Sequence, residues 1–291
     1  MSLLAPFKAT FAGVVLAVST FLAFCLMMPL ALIKLVLPVR GVRAVVDVVL
    51  NAIAETWISL NNAWMALVGS TQWDVSGLEN FKRQGWYLVG ANHQSWVDIL
   101  VLQRVFNRRI PLLKFFIKHE LIYVPIIGLA WWALDFPFMR RKGGASARKD
   151  LEAARKACEK FRVVPTSVIS FMEGTRFTPA KHKQQNAPYR HLLKPKSGGI
   201  AMALETLGDK LEALVDVTIV YPDGVPSFTD LMCGRVRRVV VTVRQVHIPD
   251  DLHATEGPDA AYRQRLQGWV NGIWDAKDAE IEALLKGPGR N

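Results

Sequence analysis

The sequence predicts an α/β domain, a largely parallel sheet flanked by helices, with an N-terminal membrane-associated helical segment. Three observations carry that reading. After Thr71, short apolar runs alternate with helix-like stretches, the signature of strand–helix–strand units. Ala9 to Ile33 is a run of 25 residues without a charge. Over 291 residues, 51% are hydrophobic and 21% charged, which excludes a disordered chain and leaves ample side chain for a core.

Residues 1–70 form the membrane-associated segment, as one transmembrane helix or a hairpin, and residues 71–291 the α/β domain. The uncharged run is bounded by Lys8 and Lys34. As a helix it measures ~37 Å, enough to cross a ~30 Å hydrocarbon core with tilt. It exceeds the ~7–15 apolar residues of a cleaved signal peptide, and no small-x-small site follows it. Lys34, Arg40 and Arg43 beyond the run outnumber Lys8 before it. That bias puts the bulk of the protein on the cytoplasmic side of an inner or plasma membrane. Residues 44–69 read as a second helix, apolar but carrying Asp47, Asn51, Glu55, Asn61 and Asn62. Either it lies at the membrane, with Trp57 and Trp64 at the interface, or it covers the soluble core. A re-entrant hairpin resting in one leaflet is the third arrangement.

In the body, strands are expected at 86–91, 135–139, 167–172, 214–221 and 236–246. Helices are expected at 95–106, 112–122, 146–161, 197–208 and 259–285. In sheets of this class, sites collect in loops at the carboxyl ends of strands. Segment 177–196 is polar, basic and Pro-containing, which fits a mobile loop beside such a site. Gly287 to Asn291 reads as a loose tail.

Of the net charge of +11, +9 lies beyond residue 70. A basic body serves nucleic acid, an anionic membrane surface or phosphate-bearing substrates. Zinc fingers, aromatic strand signatures and a helix-turn-helix are all missing, so nucleic acid is not expected. Cys25, Cys158 and Cys233 lie far apart without metal spacing, against a disulfide scaffold or zinc site. No G-x-S-x-G elbow, Walker A loop, G-x-G-x-x-G or H-E-x-x-H occurs.

Two constellations can carry chemistry. After the strand at 86–91 comes Asn92-His93-Gln94-Ser95-Trp96-Val97-Asp98. Residues five apart on a continuous helix diverge by about 140°. His93 and Asp98 therefore meet only if His93 sits in the loop and its ring folds back over a helix capped by Ser95. Asp98 then accepts a hydrogen bond from one ring nitrogen and leaves the other as a base. At the end of a later strand stands Phe171-Met172-Glu173-Gly174-Thr175-Arg176. It joins a carboxylate, a permissive turn and a guanidinium suited to bidentate phosphate contact. Elsewhere His182 and His191 read as solvated, His247 and His253 as partnerless, and the arginines at 235, 237, 238 and 244 as a solvated strand face.

Taken together and in order, these motifs resemble the glycerolipid acyltransferase family, which includes bacterial 1-acyl-glycerol-3-phosphate and other lysophospholipid acyltransferases. The likeness spans roughly residues 75–225. Phe138-Met139-Arg140-Arg141 resembles the family's arginine-bearing block, with Arg141 at its arginine. Lys118-His119-Glu120-Leu121 resembles the segment between the first two motifs, and Lys194-Pro195-Lys196-Ser197-Gly198-Gly199 its basic stretch. Met172 and Asp216 stand where the family pattern has proline.

The resemblance implies acyl transfer from acyl-CoA or acyl-carrier protein to the hydroxyl of lysophosphatidic acid, giving phosphatidic acid in phospholipid biosynthesis. His93 would be the base and Asp98 its orienting partner. Lys118, Arg141 and Arg176, with Gly174 and Thr175 in the turn, would bind the acceptor. Glu173 would hold Arg176 or meet the acceptor's glycerol. Lys194 and Lys196 would attract the donor's phosphates. A thioester needs no enzyme nucleophile, which agrees with the missing serine elbow, and neither a metal nor a cofactor beyond the acyl donor is expected. Acceptors such as glycerol-3-phosphate or another lysophospholipid stay open. So do a hydrolase using the same pair and a non-catalytic, membrane-anchored basic protein that binds anionic lipid.

Overall fold

A computed structural model describes residues 4–139, 160–162, 164–211, 213–253 and 259–286. Helix α1 (Ala5–Val36) and helix α2 (Arg40–Val68) form a hairpin turned at Leu37–Val39. Helix α1 carries alternating duties around its circumference. Ala5, Ala12 and Ser19, seven apart, face the protein, as do Met27, Ala31 and Lys34. Phe7, Phe11, Val14, Val18, Leu22 and Leu26, three or four apart, remain exposed. Lys34 is buried and paired with Asp47 of α2 and Asp135 of the body.

The α/β body is built on a six-stranded sheet. Its strands are β1 (Gln72–Ser76), β2 (Tyr87–Ala91), β3 (Leu113–Phe115), β6 (Ser167–Phe171), β7 (Ala213–Val220) and β8 (Arg238–Val246). Their spatial order is β1-β8-β7-β2-β6-β3, parallel at every pairing except β7 with β8. A second, two-stranded sheet pairs β4 (Ile117–Lys118) with β5 (Phe138–Met139). The expected class, a largely parallel sheet flanked by helices, is what the chain adopts.

Every residue of β7 is buried, as a strand covered on both faces must be. Val215, Val217 and Ile219 join Val89 and Ala91 in one core, roofed by α3 (Val97–Phe106) and the end of α2 with Trp64 and Met65. Leu214 and Val220 point the other way, with Leu88, into a core closed by α6 (Gly198–Leu207) and α8 (Ala260–Lys286). A third cluster joins the far end of the hairpin, through Met27, Leu50 and Ile58, to Leu112, Ile117 and Phe136.

Several elements differ from expectation. The run 112–122 is not a helix: it divides into β3, β4 and a 3-10 turn over His119–Tyr123. Its partners, Ser167 to Ile169 and Phe138 to Met139, lie far along the chain, so tertiary pairing overrides local pattern. The strand at 135–139 shrinks to Phe138–Met139, and the polar edge strand β1 and helix α4 (Ile127–Ala133) were not foreseen. Segment 177–196 begins with helix α5 (Pro179–Gln185), capped by Thr178, and continues as chain pinned against α8. Helix α2 covers the core, and Trp64 and Trp57 serve packing: Trp64 is buried, and Trp57 Nε1 donates to Thr20 Oγ1 at 3.0 Å. The helix expected at 146–161 falls almost wholly outside the described residues.

Candidate active site

Strand β2 is extended beyond its end by a side chain. Asn92 Nδ2 donates to Ile219 O at 2.9 Å, and Asn92 Oδ1 accepts from Ile219 N at 2.8 Å. The amide so mimics one more ladder step onto β7 and sets where His93 leaves the sheet. Helix α3 starts only at Val97, and the loop 93–96 wraps round its first turn. Ser95 Oγ accepts from Val97 N at 3.1 Å.

That wrapping brings His93 and Asp98 together despite their five-residue spacing. His93 Nδ1 lies 2.8 Å from Asp98 Oδ2. The same oxygen accepts from Gln94 N at 2.6 Å and Ser95 N at 2.8 Å, while Oδ1 accepts from the Tyr221 hydroxyl at 2.6 Å. A buried carboxylate with four donors is an acceptor throughout, so His93 presents an Nδ1–H to it and Nε2 is the ring nitrogen that Asp98 does not engage. The ring lies flat on Phe171, centroids 3.9 Å apart.

The second constellation is laced to the first. Glu173 is fully buried, and its oxygens accept from His93 N at 2.8 Å and Leu193 N at 3.1 Å. Burial pushes its carboxyl up to about 8, against the pull of those two N–H groups and of Lys277. Glu173 is expected to hold Arg176 or meet the acceptor, but in the fold its oxygens are taken by the backbone N–H groups of His93 and Leu193. Gly174 adopts φ +67°, and a Cβ there would sit 3.3 Å from Lys196 Cδ. Phe177 N donates to His93 O at 2.7 Å, completing the tie.

Arg176 is exposed and stacks over the Trp96 indole, 4.8 Å from its centroid. Lys181, which sequence reasoning missed, donates to Thr175 Oγ1 at 2.7 Å and Arg176 O at 3.1 Å. Lys194 and Lys196 are exposed, and Lys196 lies across Gly174. Lys118 stands exposed at the end of β4 with Glu120 3.8 Å away. Among the described contacts none joins Lys118 to His93, Glu173 or Arg176. Arg141 lies outside the described residues.

The residues at the two departures from proline have identifiable partners. Met172 is buried, and its Cε rests where a Cβ on Gly90 would be, at 2.3 Å. Asp216 is buried with Lys277 Nζ 2.8 Å from Oδ1 and Arg244 Nη2 2.6 Å from Oδ2. Lys277 also donates to Val217 O and to Thr218 Oγ1 at 3.2 Å. The solvated or partnerless readings of three histidines are corrected: His182 meets Tyr189 O at 2.6 Å, His191 meets Glu282 Oε2 at 2.6 Å, and His253 meets Gly208 O at 3.1 Å. Arg235, Arg238 and Arg244 keep exposed side chains, as a solvated face requires, and each also has a carboxylate partner.

Tyr221 is the functional residue least visible in sequence. Its one local sign is a polar handle closing an apolar strand just before Pro222, at the carboxyl end of the strand where sites collect.

Residues 72–222, just over half of the chain, match the acyltransferase family. The chain is 25% identical over 247 residues to 1-acyl-sn-glycerol-3-phosphate acyltransferase gamma of Mus musculus, covering 78% of this chain and 62% of that protein. It is 26% identical over 213 residues to the delta enzyme of Homo sapiens, covering 68% of this chain and 53% of that protein. The chain thus spans less than two thirds of the length of these relatives. In fold it is similar to the crystal structure of the 1-acyl-sn-glycerophosphate acyltransferase of Thermotoga maritima, with TM-score 0.52, 19% identity, and coverage of 94% of this chain and 98% of that one.

Proposed function

The chain belongs to the acyltransferase family, and from that premise we propose that it moves a fatty acyl group from a thioester, acyl-CoA or acyl-carrier protein, to the hydroxyl of lysophosphatidic acid. The observation that carries this reading is the His93–Asp98 hydrogen bond at the carboxyl end of β2, which engages Nδ1 and leaves Nε2 as the ring nitrogen for the acceptor. In the reaction, Nε2 accepts the acceptor's hydroxyl proton as that oxygen attacks the thioester carbonyl. The tetrahedral centre then expels the thiolate, the C–S bond breaks, and the imidazolium returns its proton to sulfur. Asp98 holds the ring and offsets the charge it gains in between.

Arg176 is the cation best placed for the acceptor's phosphate, next to the loop that carries His93. Arg141 and Lys118 remain candidates for the same anion. Lys194 and Lys196 serve the donor's phosphates, beside the Gly174 turn. The substrates named for the mammalian relatives, 1-acyl-sn-glycerol-3-phosphates, support the choice of acceptor.

The hairpin suits an enzyme whose acceptor lives in a bilayer. Helix α1 touches the body near its start, where Gly13 lies against Met232, and again at Met27 and Lys34. Those contacts are spread over some 20 residues, about 30 Å of helix, the thickness of a hydrocarbon core. A helix bound to one polar body along that length does not cross a bilayer beside it. The hairpin therefore lies in one leaflet, its apolar stripe to the lipid, with the basic body drawn to the anionic cytoplasmic surface.

The test is an acyl-transfer assay on purified protein and its His93→Ala variant. Lysophosphatidic acid, glycerol-3-phosphate and lysophosphatidylcholine are offered in parallel, each with acyl-CoA and acyl-carrier protein donors. Phosphatidic acid formed by the parent and reduced about 10²–10⁴-fold in a folded variant supports the reading. Transfer to a different acceptor keeps the mechanism and moves the substrate. Release of free fatty acid alone, or no turnover with any pair, overturns it.

A further inference from the structure

The α1 stripe is not the only apolar surface left uncovered. Residues 121–134 contain no charged side chain. They run through the 3-10 turn and α4, which packs against α1. Their inner side, with Ala130, Trp131 and Leu134, fills the cluster that holds Met27 and Met28. Their outer side leaves Leu121, Tyr123, Val124, Ile127, Leu129 and Trp132 exposed, Tyr123 to 77%. Leu129 and Trp132, three apart, share one face of α4.

The backbone that presents them is unusual. Ile126 has φ +68°, a left-handed conformation that a β-branched residue rarely adopts. Two residues on, a Cβ at Gly128 would meet Ile122 O at 2.2 Å. The turn and the helix are thus folded tightly on each other, and the result is a short apolar ridge turned outward rather than a covered one.

The seam between this ridge and the hairpin tip holds a cavity of about 260 Å³, lined by Ala31, Lys34, Leu35, Pro38, Arg43 and Trp132, with Ala133 and Asp135. Lys34 is already engaged by Asp47 and Asp135, which leaves Arg43 as the cation open to an anion there. Arg43 is half-buried, and among the described residues no carboxylate lies within ion-pair distance of it. A guanidinium and an indole lining one cavity, framed by apolar surface, have the chemistry of a phospholipid headgroup contact at an interface.

We propose that residues 121–132 are a second membrane-contacting element, which enters the same leaflet as α1 and seats an anionic phospholipid headgroup against Arg43 at the seam between them. The occupant is the bilayer rather than a protein because the ridge continues the α1 stripe, whose exposed apolar residues from Phe7 to Val36 extend about 44 Å. The inference rests on the reading of α1 as lying in one leaflet. Its consequence is that the body is held at two points, so its tilt on the membrane is fixed.

The test uses the full chain with its three cysteines replaced by serine and single nitroxide labels at Phe11, Tyr123, Leu129 and Gln264. Gln264 is exposed on α8, across the sheet from the ridge. The protein is bound to vesicles of phosphatidylethanolamine and phosphatidylglycerol, and collision with oxygen and with a water-soluble nickel complex is measured. Labels at Phe11, Tyr123 and Leu129 in hydrocarbon, with Gln264 in water, support the proposal. Phe11 in lipid with Tyr123 and Leu129 in water overturns it and spares the reading of α1; all labels in water overturn both. In parallel, a Tyr123→Ser, Leu129→Ser variant, checked by circular dichroism, should partition onto these vesicles roughly ten-fold less. Arg43→Gln should blunt the gain in binding as phosphatidylglycerol increases. Either variant binding like the parent counts against the element it alters. Turnover on detergent-dispersed acceptor, unchanged in both, keeps this test separate from that of the reaction.

Discussion

The Tyr221 hydroxyl donates to Asp98 Oδ1 at 2.6 Å, from the end of β7 to the first turn of α3. Burial, and then the neighbouring carboxylate, push the phenol well above its ordinary range, so it stays a donor. The contact fixes the oxygen that His93 does not use, and with it the plane of the carboxylate. Tyr221→Phe keeps the ring and removes the donor. Its kcat should fall roughly 3- to 30-fold, a barrier change of ~0.7–2 kcal/mol, with KM for both substrates unchanged. Tyr221 acts through Asp98, so in an Asp98→Asn background the same change should cost little more. Equal losses in both backgrounds would show general damage rather than positioning.

Glu173 links stability to pH. Its carboxyl is raised from 4.5 to about 8, chiefly by burial. The folded state therefore holds the proton more tightly than the unfolded chain. The contribution to stability is complete below about 4.5 and is lost as pH rises through about 8. The slope is about 1.4 kcal/mol per pH unit across that window at most. Glu173→Gln has no proton to lose, so its urea midpoint should be flatter from pH 5 to 8 than that of the parent. A parent curve already flat there would contradict the assignment.

Asp216 and Lys277 form a buried ion pair, completed by Arg244. Burial also pulls the Lys277 ammonium below its ordinary range, although Asp216 opposes that shift. Removing Lys277 leaves Asp216 buried with Arg244 as its remaining cation and its Oδ1 without its ammonium, at a cost of up to ~3–5 kcal/mol. Lys277→Met should lower stability by about that amount in urea unfolding. Lys277→Met with Asp216→Asn should recover most of it, because the uncompensated charge is gone. A double variant no more stable than the single one would mean that Lys277 matters for its packing on β7 rather than for its charge.

What sequence reveals here depends on how local the cause is. Strands β2, β6, β7 and β8 are apolar runs buried on the sheet, and their composition announces them. The meeting of His93 with Asp98 follows from one short loop. Tyr221, by contrast, lies 123 residues from Asp98, and no spacing rule connects them. Lys277 reaches Val217 from 60 residues away. Glu173 was visible as a motif residue, but its two backbone donors belong to loops that only the folded sheet brings together. The run 112–122 satisfies helix and strand patterns alike, and the decision falls to partners that sequence does not point to.

Met172 offers the same lesson in a form that can be tested. It stands at the position where the family pattern has proline, and its methyl group occupies the space above Gly90 on the neighbouring strand β2. The two positions are therefore one packing unit, although 82 residues separate them along the chain. Gly90→Ala would place a Cβ 2.3 Å from Met172 Cε. The methionine end is flexible but fully buried, so repacking should cost ~1–3 kcal/mol. Met172→Ala empties the same space and should cost ~2–5 kcal/mol. Combined, the new methyl group moves into the void, and the double variant should be more stable than the sum predicts by about 1 kcal/mol or more. Chemical denaturation of the four proteins measures this directly. Strict additivity would mean that the methionine is held by the α6 and α8 core alone, and that the glycine across from it is not what makes room for it.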